Sequence, residues 1–101
     1  MSETSAGTPA ANPDLAGVVQ HTVVRGELPA LVVIHDDEGD WLIGDGVNDP
    51  NEDGACGIFH LAHVVRVDPT VAEVLGMPPG YAANRLDATS RWEISRWQYE
   101  D

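Results

Sequence analysis

Apolar positions in this chain come in short blocks separated by Gly, Pro and acidic residues, and the spacing inside each block predicts an element. After Leu15, the residues Val18, Val19, Val23 and Val24 around Gln20, His21 and Thr22 are β-branched enough for a first strand, closed by Arg25-Gly26-Glu27. Ala30-Leu31-Val32-Val33-Ile34 is apolar on both alternations, the pattern of a central strand covered on both faces. His35-Asp36-Asp37-Glu38-Gly39-Asp40 makes an acidic turn into Trp41-Leu42-Ile43. Gly39 can take a positive φ there, so the two flanking strands are expected to pair as an antiparallel hairpin.

Residues 44–57 are too rich in Gly, Asp and Asn for regular structure and read as a loop of about a dozen residues. Ile58-Phe59 can open a further strand or lead into Leu61, Val64 and Val65, which share a helical face; a short helix is favoured. Asp68-Pro69-Thr70 is a helix start, because Asp68 can accept a hydrogen bond as N-cap and Pro69 loses no needed donor at the first helical position. Val71, Val74 and Leu75 form its apolar face, and Gly76 with Pro78-Pro79 stops it. Residues 81–86 and 91–97 read as two strands around a turn at 87–90, with Trp92, Ile94 and Tyr99 alternating. The expected fold is therefore α+β: one small domain over 15–101, a mostly antiparallel sheet of about five strands with one or two short helices. Residues 1–14, MSETSAGTPAANPD, carry no periodicity and are expected to be a disordered leader.

Composition narrows the class. A chain of 101 residues, 43% hydrophobic, can bury one modest core and no second domain. No run approaches the roughly 18–20 apolar residues that cross a bilayer, and the N-terminus has no basic start. The lone Cys56 suits a reducing compartment, so a cytoplasmic location is expected. All five basic residues are Arg and none adjoins another; without a cation cluster, neither nucleic acid nor an anionic membrane is an expected partner.

Charge is where the sequence is unusual. There are 17 Asp and Glu against 5 Lys and Arg, a net charge of −12, and eight of the acids lie within 36–54 without one cation among them. Carried on a turn and a loop, they are expected to be exposed together at one end of the sheet. Such a patch steers a basic protein, although acidic turns can equally serve solubility in a housekeeping or regulatory domain with no chemistry of its own.

Candidate chemistry is thinner. Asp49, Asn51 and Asp53 followed by Gly54 match the first half of a calcium-binding EF-hand loop, but position twelve is His60, where a bidentate Glu is needed. His60 and His63, with His35, Asp36 or Cys56, could furnish ligands of a metal-dependent enzyme. Their i, i+3 spacing lacks the HExxH arrangement of zinc proteases. The acids around Cys56 would raise its thiol pKa, against a reactive thiolate. No GxSxG, P-loop or GxGxxG occurs, so no catalytic residue and no cofactor is assigned. Trp41, beside Asp40, is the first choice among the three tryptophans for an interface anchor.

The blocks His35-Asp36-Asp37-Glu38-Gly39-Asp40-Trp41, Gly44-Asp45-Gly46, His60-Leu61-Ala62-His63-Val64-Val65 with Asp68-Pro69, and Leu75-Gly76-Met77-Pro78-Pro79-Gly80-Tyr81 resemble a family of small bacterial proteins common in actinobacteria. That family is similar in pattern to predicted immunity proteins of bacterial toxin systems. The resemblance spans about residues 15–97 and implies a single α+β domain that acts by binding. The residues it would carry over as an interface, against a partner with a basic surface, are Asp36, Asp37, Asp40, Trp41 and Asp45.

Overall fold

The computed structural model describes residues 15–97; the expected leader and Tyr99 lie outside them. Six strands form one sheet: β1 (Ala16–Gln20), β2 (Val32–His35), β3 (Trp41–Gly44), β4 (Cys56–His60), β5 (Tyr81–Asn84) and β6 (Glu93–Arg96). Their spatial order is β4-β1-β3-β2-β5-β6. The β1–β3 pair is parallel and every other pair antiparallel. Helix α1 (His21–Val24) follows β1 directly, α2 (Leu61–Val67) follows β4 directly, and a 3-10 helix covers Pro69–Val74. The α+β class holds, with six strands and three short helices among the described residues.

The hairpin of β2 and β3 forms as expected, with His35 opposite Trp41 and Val33 opposite Ile43. Gly39 adopts φ 90° at its tip, and Asp36 closes the turn: its Oδ1 accepts the amides of Glu38 and Asp40 at 3.0 and 2.9 Å. Asp68 caps the 3-10 helix, its Oδ1 accepting the Thr70 amide, with Pro69 at the start. Ile58-Phe59 lies in the further strand, β4, and the favoured short helix follows from Leu61 as expected. One expectation needs correction: the apolar stretch 18–24 is not one strand, because the chain turns into α1 at His21 and sends Val23 into the core.

Core and sheet share one face. Val19, Val33, Ile43 and Ala83 occupy neighbouring register positions on it, joined by Trp41. They pack with Val23, Leu61, Val64, Val71, Val74, Leu75 and Met77 from the helices and the segment after them. Gly17 is required for this packing, since a Cβ there would stand 2.8 Å from the Trp41 Cβ and 2.9 Å from its carbonyl oxygen. The expectation that the 30–34 strand is covered on both faces is overturned: Val33 is buried while Val32 and Ile34 are only half-buried. Every helix among the described residues packs on the Val33 side, so within those residues no second helical layer covers the other face of β2.

Candidate functional site

The acidic segment folds as two clusters. The hairpin tip 36–40 lies at the N-terminal end of β3 and the loop 45–55 at its C-terminal end, so the strand separates them. The expected single patch at one end of the sheet is thereby corrected: charges adjacent in sequence are parted because the strand between them runs from one side of the sheet to the other. At the tip, Asp37, Glu38 and Asp40 are exposed, while Asp36 is half-buried and turned to the backbone amides it accepts from. On the loop, Asp49, Glu52 and Asp53 are exposed.

Asp45 is a different kind of acid. It is 0% exposed, and its carboxylate accepts hydrogen bonds from the Thr22 hydroxyl at 2.6 Å, the Asn48 side-chain amide at 2.9 Å, and the Val47 and Asn48 backbone amides at 2.8 Å each. Burial pushes its pKa up, but these donors outweigh burial and hold it at about 2. Gln20 completes the joint, accepting the Asp45 amide at 2.6 Å and donating to the Asn48 carbonyl at 3.2 Å. His21 Nδ1 fastens the far side of the loop, 2.8 Å from the Gly54 oxygen. Asp45 therefore pins the loop to α1 and leaves no oxygen for a partner, which corrects its place among the interface residues.

Trp41 is corrected for a related reason. It is 3% exposed, stacked on His35 with ring centroids 3.8 Å apart and planes 11° off parallel. It sits on the face that the helices cover, so it anchors the core and cannot anchor a partner. His35 in turn reaches the Met77 carbonyl through Nδ1 at 2.8 Å. Trp92 is also packed against the core, donating from Nε1 to the Thr70 carbonyl at 3.1 Å.

The metal candidates are not assembled. Asp49 Oδ1 accepts the Asn51 amide at 2.9 Å, a local turn. His60 and His63 are exposed beside a groove of about 350 Å³ lined with Ala16, Ile58 and Phe59. Among the described residues, the one set of three His, Cys, Asp or Glu side chains whose ligand atoms lie within 4.8 Å of one another is Asp36, Glu38 and Asp40. That set belongs to the hairpin tip and arises from its Asx-type turn. Cys56 is partly buried, and its thiol pKa is raised by burial and by the nearby Asp45 charge, the direction expected from its acidic surroundings.

Sequence reasoning missed the cluster around Arg85. Arg85 Nε donates to the Ala30 carbonyl at 2.9 Å, Nη1 to the Ala88 carbonyl at 3.2 Å and Nη2 to Asp68 Oδ2 at 3.3 Å, while its guanidinium stacks 4.2 Å above the Trp92 ring. Asp68 Oδ2 also accepts the Ala30 amide at 3.1 Å. This is a structural latch joining the start of β2, the 3-10 helix and the β5–β6 turn. The only sequence signal for it was an Arg at the end of a strand. Among the described residues no helix is long and apolar enough to cross a membrane. Comparison with protein-family models, with curated proteins and with solved structures finds no match for this chain.

Proposed function

We propose that this chain is a binding module, of the immunity type that its motifs resemble, which acts in the cytoplasm by occluding a basic surface on another protein. The observation that carries the reading is the disposition of acids: Asp37, Glu38 and Asp40 exposed at one end of β3, Asp49, Glu52 and Asp53 exposed at the other, and no Lys or Arg anywhere in 36–54. Asp36 and Asp45 build the turn and loop that present them, and so belong to the scaffold.

Opposite charge on a partner would raise the association rate and make it sensitive to salt. The test is capture from a host lysate, followed by stopped-flow association of the captured protein with the wild type and with a Asp37→Asn, Glu38→Gln, Asp40→Asn variant. The expected result is a basic partner whose association with the variant is at least about tenfold slower at low salt and nearly equal at high salt. Equal rates at low salt, or capture of acidic proteins only, would discard the proposal. A toxin gene directly beside this one would support the immunity role.

A further inference from the structure

The face of the sheet opposite the core carries an unbroken apolar row. Register places Ile58 beside Val18, Val18 beside Leu42, and Leu42 beside Ile34; Ala82, next to Ile34, is buried at 5% exposure and ends the row. The row thus crosses four neighbouring strands, about 14 Å at the usual strand spacing. None of these four belongs to the hydrophobic core cluster or to the half-buried residues packed against it. Val18, Leu42 and Ile34 are half-buried, and Ile58, on the edge strand, is 71% exposed. One face of an antiparallel sheet commonly meets water and is then polar, so contiguous apolar surface that the described residues leave open points to a contact site.

Charge selects the occupant. The row itself holds no charged residue, yet the strand ends that bound it carry Asp37, Glu38 and Asp40 on one side and Asp49, Glu52 and Asp53 on the other. A second copy, itself at −12, would set acid against acid at both ends. The segment 1–14 has Met1 as its only large apolar side chain and offers little to bury. We infer that this sheet face docks a partner protein surface that is apolar at its centre and lined with Lys or Arg at two opposite rims. The inference rests on the basic-partner reading above and adds where the contact is made.

The probe is an amphipathic helical peptide with leucines on one face and lysines on the rest, alongside a scrambled peptide of the same composition and a version with Glu replacing Lys. Binding is followed at physiological salt by methyl NMR of the full chain. The expected result is that the amphipathic Leu/Lys peptide moves the methyl resonances of Val18, Ile34, Leu42 and Ile58 and binds at least about tenfold tighter than the scramble. An Ile34→Thr, Leu42→Thr variant should lose a similar factor. If the peptide and its scramble bind alike and those methyls stay still while the tip and loop amides move, the sheet face is not the site, although the basic-partner reading survives. If the Glu version binds as tightly as the Lys version, the basic-partner reading falls and this inference with it. Two outcomes overturn the inference outright: no shift with any of the peptides, or a stable dimer in sedimentation that the Thr variant dissolves.

Discussion

At the scale of single residues, Asp45 shows how a carboxylate can look like surface charge in the sequence and act as a structural fastener. Four donors converge on it inside the fold. Replacing it with Asn turns one acceptor oxygen into a donor that faces other donors. Asp45→Asn should therefore cost about 1–3 kcal/mol at neutral pH, read from urea midpoints. The pH dependence has a fixed sign. Because the folded pKa of about 2 lies below the ordinary 3.8, the stabilisation is complete above about pH 4 and is lost as pH falls toward 2. The gap between wild type and variant should narrow over that window; a gap unchanged from pH 6 to pH 2 would show that the charge on Asp45 does not matter. Gly17 makes the complementary point: the neighbouring Trp41 leaves no room for a Cβ, and nothing in the local sequence announces that approach.

At the scale of elements, the latch around Arg85 ties together three segments distant in sequence. Its guanidinium satisfies two carbonyls and shares Asp68 with the Ala30 amide. Arg85→Ala should destabilise the fold by about 3 kcal/mol in chemical denaturation, because it strands a largely buried carboxylate and the Ala30 carbonyl. Arg85→Lys should recover only a minor part, since an ammonium cannot reproduce the planar fork or its stacking on Trp92. Full rescue by Lys would reduce the latch to a simple charge effect. The hairpin and the 3-10 helix were legible in the sequence because Asp36, Gly39, Asp68 and Pro69 act on backbone within a few residues of themselves. The break between β1 and α1 was not legible, since Val23 turns inward only where α1 packs against α2 and joins the shared core.

At the scale of the molecule, the net charge of −12 repels itself within a small volume. Screening should stabilise the fold: raising sodium chloride from low to physiological concentration should raise Tm by about 4 °C in calorimetry, equivalent to roughly 1 kcal/mol for a domain this size. The Asp37→Asn, Glu38→Gln, Asp40→Asn variant should show a smaller rise. A Tm that falls with salt would mean that attractive ion pairs outweigh the repulsion.

The sequence by itself determined the α+β class, the hairpin, the capped helix start, the excess of acid in 36–54 and the want of a basic cluster, all of which depend on local spacing or on counting. Tertiary packing was needed to divide the acids between opposite ends of β3, to put Asp45 and Trp41 inside, and to set all the described helices on one face of the sheet. Those outcomes depend on strand direction and on which face the helices choose. Side-chain alternation names two faces of a strand but cannot say which of them the rest of the chain will cover.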